Sequence, residues 1–160
     1  MKITLIIICT IIINLAPSAQ GVSSPEEFIR NIYTSEHLPW ATEKSSHVID
    51  FSSRKSLAKY FDNNLVNLFI RDDKYKIKTK EIGCLDFDPI YDAQDGDPVT
   101  KDLKISKVVG KVNVFSVTFA NLGTRTLIYK LTYTADGWRI KDIEYSKNKT
   151  LTEILSCKHE

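Results

Sequence analysis

The hydrophobic residues that follow position 24 recur every three or four positions, and this period is typical of an amphipathic helix. Ser24 is a favourable N-cap, Pro25 fits the first helical turn, and Glu27 completes a capping box with Ser24. The sequence therefore predicts a helix that begins at Pro25. Its apolar positions are Phe28, Ile29, Ile32 and Tyr33.

A second helical pattern runs over residues 52–73 and predicts one helix of several turns with a single broad apolar face. The positions on that face are Leu57, Tyr60, Phe61, Leu65, Leu68 and Phe69. Residues 74–82 alternate lysine with other side chains, and they fit either a short edge strand or the end of this helix. Residues 35–50 have no sustained period and contain Pro39, which predicts a connection between the two helices.

Further along the chain the period changes to two, which predicts strands over residues 102–110, 111–120, 124–134 and 137–145. Alternation of this kind is typical of an antiparallel sheet with one buried face. The positions predicted to face the core are Leu103, Ile105, Val109, Phe115, Val117, Phe119, Leu127, Tyr129, Leu131, Tyr133, Trp138, Ile140, Ile143 and Tyr145.

Short local signals refine the last third of the chain. An Asp-Gly dipeptide at 136–137 predicts a hairpin, and the phase slip after Ile140 predicts a β-bulge near Lys141 and Asp142. A capping box at 150–153 predicts a final helical turn. Helices followed by strands that pair in chain order predict an α+β fold, with N-terminal helices packed on a curved antiparallel sheet.

The first 21 residues have the features of a cleaved secretory signal: a basic Lys2, a short apolar run, and small residues before a cleavage point after Gly21. The apolar run is short for a membrane span, and an uncleaved anchor is the alternative. Cys9 lacks the preceding residues of a lipidation signal. We therefore expect a periplasmic or secreted protein, without a membrane anchor after cleavage, in which residues 22–160 form a single α+β domain.

Cleavage of the signal would leave two of the 3 cysteines, Cys84 and Cys157. A cysteine pair in an exported domain most often forms a disulfide, with two free thiols as the alternative. The bond would close a loop of about 70 residues and contribute about 4 kcal/mol in the chain-entropy model. Neither cysteine has the CxxC spacing of a zinc site or a thioredoxin-like motif. The sequence therefore predicts a disulfide between Cys84 and Cys157.

Composition excludes several classes of function. The 160 residues carry a formal net charge of +2, from 22 basic and 20 acidic residues, so no charge excess favours a nucleic acid as partner. The 6 glycines form no phosphate-binding loop, and the 3 histidines lie outside any nucleophile motif. We therefore expect a protein that is not an enzyme and that binds no cofactor or metal.

Residues 83–97 contain five aspartates and form the most unusual segment of the sequence. They do not match an EF-hand calcium loop, because alignment on its glycine puts Tyr91 and Ala93 at ligand positions. Asp86 and Asp88 could act as a catalytic carboxylate pair only if burial or mutual repulsion shifted their pKa values. A polar loop whose aspartates hydrogen-bond the local backbone is the simpler expectation.

Two segments carry motifs of a known family. The first motif consists of Leu85, Asp86, Phe87, Asp88 and Pro89, followed by Ala93, Gln94 and Asp95, and the second consists of Trp138, Ile140, Asp142 and Ile143. Together they resemble the signature and the closing strand of the YbjP/YqhG-like family, exported bacterial proteins with a domain of uncharacterised function. The resemblance extends from about residue 28 to residue 155. It implies an NTF2-like or cystatin-like cone, a strongly bent sheet around a helix, and it implies no established reaction.

We expect this protein to bind another protein, such as a toxin or a cell-wall-degrading envelope enzyme that it neutralises as an immunity protein. The candidate contact loop consists of Tyr91, Asp92, Gln94, Asp95 and Asp97. Its acids would meet a basic rim on the partner, and Tyr91 would provide the anchor. The alternative is a small-molecule-binding or enzymatic domain that uses the interior of the cone. The candidate lining of that interior is Phe115, Tyr129 and Trp138.

Overall fold

The computed structural model describes residues 23–35, 49–94, 101–120, 123–145 and 149–157. These residues form helices and one antiparallel sheet of four strands, so the predicted α+β class is confirmed. The predicted signal segment 1–21 lies outside the described residues. Within the described part of the chain, no helix is both long enough and apolar enough to cross a membrane.

Helix α1 covers Pro25–Ser35 and begins where the capping signal predicts. Ser24 Oγ accepts a hydrogen bond from the backbone N–H of Glu27 at 3.1 Å. The helix places one face against the core, and its fully buried side chains are Ile29, Ile32 and Tyr33.

The predicted single helix over 52–73 is interrupted in the structure, so this prediction was wrong. Helix α2 covers Arg54–Leu57, and helix α3 covers Asn63–Thr79. Asp62 caps α3, because its carboxylate accepts a backbone N–H of the first turn at 2.9 Å. Residues 74–79 belong to α3, so the edge-strand alternative for this stretch is excluded.

The interruption between α2 and α3 comes from a contact with the last strand. Phe61 forms a parallel bridge with Ile140. The Asp62 N–H donates to the Ile140 carbonyl at 2.9 Å, and the Ile140 N–H donates to the Tyr60 carbonyl at 2.7 Å. These bonds require extended backbone, so the helix ends before Phe61 although the apolar spacing continues.

The sheet is a meander in which the strand order is β1-β2-β3-β4 and all neighbours are antiparallel. Its strands are β1 (Lys101–Lys107), β2 (Val114–Ala120), β3 (Thr124–Thr134) and β4 (Gly137–Glu144). Lys130 pairs with Asp142 and Leu131 pairs with Ile140, which leaves Lys141 as the extra residue of a β-bulge. The predicted bulge is confirmed.

One face of the sheet lines the core, and most of the predicted inward positions are buried there. The buried ones are Phe115, Val117, Phe119, Leu127, Tyr129, Leu131, Ile140, Ile143 and Tyr145. Val109 is 96% exposed, so its predicted inward position was wrong. The reason is that β1 ends at Lys107, and Val109 therefore lies in the turn that leads to β2. Tyr133 is half exposed because the β3–β4 hairpin extends past the core.

Helix α4 covers Leu151–Leu155 and closes the domain. Its capping box is confirmed: the Glu153 N–H donates to Thr150 Oγ1 at 3.2 Å, and the Thr150 N–H donates to Glu153 Oε2 at 2.9 Å. Leu151 and Leu155 are fully buried, which brings the end of α4 against the core.

Candidate functional site

The aspartate-rich segment begins at the end of α3, where close contacts determine its path. A Cβ on Gly83 would lie 2.5 Å from Asp72 Oδ1 and 2.3 Å from Lys76 Cε, so the backbone passes through space that a side chain would fill. Asp72 is a buried carboxylate that accepts the Cys84 N–H at 2.6 Å and pairs with Lys76 at 3.0 Å. Lys76 Nζ also donates to the Leu85 carbonyl at 2.8 Å. One ion pair on α3 therefore holds residues 83–85.

The predicted disulfide is present in the structure and links this segment to the end of α4. The Cα atoms of Cys84 and Cys157 are 5.8 Å apart. Arg71 of α3 donates a hydrogen bond to the Leu155 carbonyl beside the disulfide. A disulfide of this kind is typical of an oxidising, non-cytoplasmic compartment.

Residues 88–93 form a closed turn built around Asp88. The Asp88 N–H donates to the Ala93 carbonyl at 2.8 Å, and the Asp92 N–H donates to the Asp88 carbonyl at 2.9 Å. Asp88 Oδ1 accepts the N–H groups of Ile90 at 2.8 Å and of Tyr91 at 3.3 Å. The carboxylate of Asp88 therefore stabilises the local backbone, as expected for an aspartate at the start of a turn.

Two tyrosine hydroxyls of the core hold the turn from inside. Tyr145 donates to the Pro89 carbonyl at 2.9 Å, and Tyr33 donates to the Ile90 carbonyl at 3.0 Å. Burial is the main cause that raises the pKa of both Tyr33 and Tyr145, so both hydroxyls keep the proton that they donate. The turn is thus stabilised by hydrogen bonds to its own side chains and from the core.

The structure contradicts the prediction that Tyr91 is an exposed anchor for a partner. Its side chain is 1% exposed, and its ring packs edge-on against Tyr33 at 5.7 Å and against Phe119 at 6.2 Å between centroids. The tight turn directs both Ile90 and Tyr91 inward, so the tyrosine fills the core and is not accessible as an anchor for a partner. An aromatic side chain within a polar segment is a sequence signal for a core residue.

The exposed side of the turn presents polar groups. Asp86 and Gln94 are both exposed, and Gln94 Nε2 donates to Asp86 Oδ2 at 3.2 Å. Asp92 is partly buried and lies 3.9 Å from Arg125. Partial burial raises the pKa of Asp92, and the Arg125 guanidinium opposes that rise. Asp95 and Asp97, the other two predicted contact acids, lie outside the described residues.

Three other motif residues form contacts that stabilise different parts of the fold. Phe87 packs edge-on against Tyr145 at 5.3 Å. Trp138 Nε1 donates to the Ser23 carbonyl at 3.0 Å and thus fixes the chain that leads into α1. Asp142 accepts both the backbone N–H and the hydroxyl of Thr152, at 3.1 and 3.0 Å, and so fixes α4. These contacts are structural.

Aromatic side chains fill the space that the small-molecule alternative would use. Phe115 and Tyr129 are fully buried, and the Tyr129 hydroxyl lies 2.8 Å from that of Tyr33. Trp138 lies apart from them, at the hairpin end of the sheet, where it contacts Tyr133 at 4.9 Å between centroids. The interior around Phe115 and Tyr129 is therefore packed rather than open.

A surface groove of about 560 Å³ lies beside the β-bulge. Its polar lining includes Asp62, Lys130, Lys141 and Asp142, and Val112 forms part of its wall. Lys130 pairs with Glu144 at 3.3 Å. Two acids and two lysines thus line the groove, and no single charge predominates. Among the described residues, no group of three or more His, Cys, Asp or Glu side chains could hold a metal ion.

No protein-family model, curated protein or solved structure matches this chain. The resemblance to the YbjP/YqhG-like family therefore stays a prediction that rests on the motif residues themselves.

Proposed function

We propose that this protein is an exported, non-enzymatic binding domain that recognises another protein through the exposed side of residues 86–94. These residues comprise the closed turn 88–93 and its flanks and are called the 86–94 turn. The observation that carries the proposal is that some residues of this turn stabilise the fold while others face solvent. Ile90 and Tyr91 are buried and Asp88 is bonded to the backbone, while Asp86 and Gln94 are exposed. A loop held in one conformation loses little entropy on binding, which favours affinity.

The charge of the exposed side indicates the chemistry of the partner. Asp86, Asp92 and Gln94 offer carboxylate and amide oxygens, which suit a surface that carries arginine or lysine. The rim of a basic enzyme cleft is such a surface. In the sharpest form of the proposal, the protein is a periplasmic immunity protein that neutralises a toxin or a cell-wall-degrading effector.

The fold and compartment belong to the same proposal. The four-stranded sheet and its helices are compatible with a bent sheet of the NTF2-like or cystatin-like type, and the disulfide favours export. We propose that residues 1–21 direct this export and are then removed. The alternative, a small-molecule-binding or enzymatic domain that uses the interior of the cone, is less well supported because Phe115 and Tyr129 are packed in that interior.

The test is a pull-down of the exported protein from its native compartment, with bound proteins identified by mass spectrometry. The variant Asp86→Asn with Asp92→Asn removes two charges from the turn and keeps the side-chain shapes. The matched control is Asp102→Asn with Asp136→Asn, which removes two exposed acids elsewhere. We expect a stoichiometric partner that the turn variant loses and the control retains. If the partner is an enzyme, adding the purified protein should reduce its activity.

Two results would count against the proposal. A partner that both variants retain would show that binding uses another surface. A protein that emerges with a bound small molecule and without any protein partner would favour the alternative function.

A further inference from the structure

The turn that joins β1 to β2, residues 108–113, exposes apolar side chains at its tip. Val109 is 96% exposed and Val112 is 84% exposed. A Cβ added to Gly110, which lies between them, would meet no atom within 4 Å. Val109 and Gly110 are therefore open to solvent, while Val112 borders the groove that Asp62 and Asp142 also line.

The backbone of this turn is nevertheless well bonded. The Val108 N–H donates to the Val114 carbonyl at 2.9 Å, and the Lys111 N–H donates to the Val108 carbonyl at 3.2 Å. The Leu131 N–H donates to the Asn113 carbonyl at 2.8 Å, which ties the turn to β3. The exposed valines are thus held by an ordered hairpin.

The same hairpin is cationic. Residues 101–120, which form the hairpin, contain four lysines and one acid, Asp102. Lys104, Lys107 and Lys111 are exposed, and none of them forms an ion pair with a described residue. Their charges are therefore available to an anionic surface.

The combination of residues favours a lipid surface over a protein. Protein contacts are enriched in aromatic residues and arginine, are depleted in lysine, and rarely use valine as an energetic centre. At a bilayer surface, by contrast, apolar side chains enter the boundary between headgroups and acyl chains. Lysines beside them keep their ammonium groups at the level of the phosphates.

We propose that the β1–β2 turn is a peripheral binding site for membranes rich in anionic phospholipid, with Val109 and Val112 inserted and the neighbouring lysines on the phosphates. The site uses other residues than the 86–94 turn, so it does not depend on the proposed protein partner. Such binding is reversible, and salt weakens it because the charges involved are exposed.

The test is co-sedimentation of the purified exported protein with vesicles of phosphatidylcholine that contain increasing fractions of phosphatidylglycerol. We expect the bound fraction to rise with phosphatidylglycerol and to fall with salt. Val109→Ser with Val112→Ser should weaken partitioning roughly tenfold. Lys107→Gln with Lys111→Gln should weaken it by about tenfold or more and reduce the dependence on salt.

A matched control uses the other exposed aliphatic pair. Ile77 and Ile82 are 62% and 79% exposed near the C-terminal end of α3, where Glu81 lies among the lysines, and Ile77→Ser with Ile82→Ser should weaken vesicle binding less than the valine variant does. Circular dichroism verifies that each variant is folded. We expect all of them to fold, because these exposed side chains contribute little to stability.

Three outcomes would overturn the lipid site. They are failure to bind vesicles of any composition, binding that the hairpin variants do not weaken, and binding that the control weakens equally. Loss of a captured protein partner in the valine variant, without vesicle binding, would instead assign the turn to a protein contact. Vesicle binding tests the β1–β2 turn alone. Its failure would leave the pull-down result for the 86–94 turn unaffected.

Discussion

Segment 83–94 and the β1–β2 turn are both irregular connections, yet their apolar side chains differ in burial. Segment 83–94 buries Leu85, Ile90 and Tyr91, while the turn exposes Val109 and Val112. The first is held by a disulfide, by a buried ion pair and by tyrosine hydroxyls. The second is held mainly by the pairing of its own strands.

This difference shows that an unusual composition does not by itself mark a contact surface. Much of the polar chemistry of segment 83–94 is used internally, since Asp88 bonds the turn backbone and Asp72 holds the approach to it. The β1–β2 turn has an ordinary composition, and its exposed valines have no role in the core. Changes to the buried residues of segment 83–94 should therefore reduce stability, whereas changes at Val109 and Val112 should leave it nearly unchanged.

The largest effect should come from truncating the buried tyrosine. Tyr91→Ala removes a fully buried ring from contact with Tyr33 and Phe119, and it should lower the free energy of unfolding by about 4 kcal/mol. Val109→Ala, the matched change in the exposed turn, should alter it by less than about 0.5 kcal/mol. Urea denaturation followed by circular dichroism measures both. Equal losses in the two variants would contradict the distinction between the regions.

Removal of the disulfide should have the next largest effect. Cys84→Ser with Cys157→Ser opens a covalent link over a sequence separation of 73, and we expect a loss of up to about 4 kcal/mol because the unfolded chain gains entropy. Denaturation of the oxidised wild type and of the variant, without reductant, gives this difference. The same variant should bind vesicles normally through the β1–β2 turn. A variant as stable as the wild type would show that α3 alone determines the path of the segment.

The buried carboxylate of α3 should contribute less. Asp72→Ala removes the acceptor of the Cys84 N–H and the partner of Lys76, and we expect a loss of about 2 kcal/mol. Lys76 is 38% exposed, so water can solvate its charge in the variant and limit the loss. Thermal denaturation of the variant measures the change. Asp73→Ala, the neighbouring position, is the control, and an equal loss there would exclude a specific role for Asp72.

The smallest effect should be a change in pH dependence. Burial raises the pKa of Asp92 above its ordinary value of 3.8, so the folded protein binds this proton more tightly than the unfolded chain. The resulting stabilisation is present below pH 3.8 and is lost as the pH rises through the folded pKa. At pH 7 the Asp92 carboxylate is charged and its partial burial costs free energy, whereas the neutral amide in Asp92→Asn avoids this cost. The variant should therefore be more stable than the wild type at pH 7, by only roughly 0.5 kcal/mol because water screens part of the charge.

Asparagine also fits the backbone at this position, because the φ angle of Asp92 is 51° and asparagine tolerates the left-handed region. Urea denaturation at pH 3 and at pH 7 would measure the difference. A variant that loses stability at pH 7 relative to the wild type would show that the attraction between Asp92 and Arg125 outweighs the burial.

Much of the architecture was predictable because it depends on local signals. The start of α1, the capping box of α4 and the bulge at Lys141 each follow from a few neighbouring residues, and all three are confirmed. The disulfide was also predictable, since only two cysteines follow the expected signal. Within the candidate site, the backbone bonding of Asp88 follows the same local rule.

The sequence by itself determined the α+β class, the order of the elements and most of the core positions on the strands, because periodicity and capping act over a few residues. Tertiary structure decided the break between α2 and α3, where pairing of Phe61 with Ile140 outweighs a continuous helical period. It also decided that Tyr91 is buried and that Val109 is exposed. The physical reason is that these outcomes depend on contacts between residues distant in sequence, and no local pattern records such contacts.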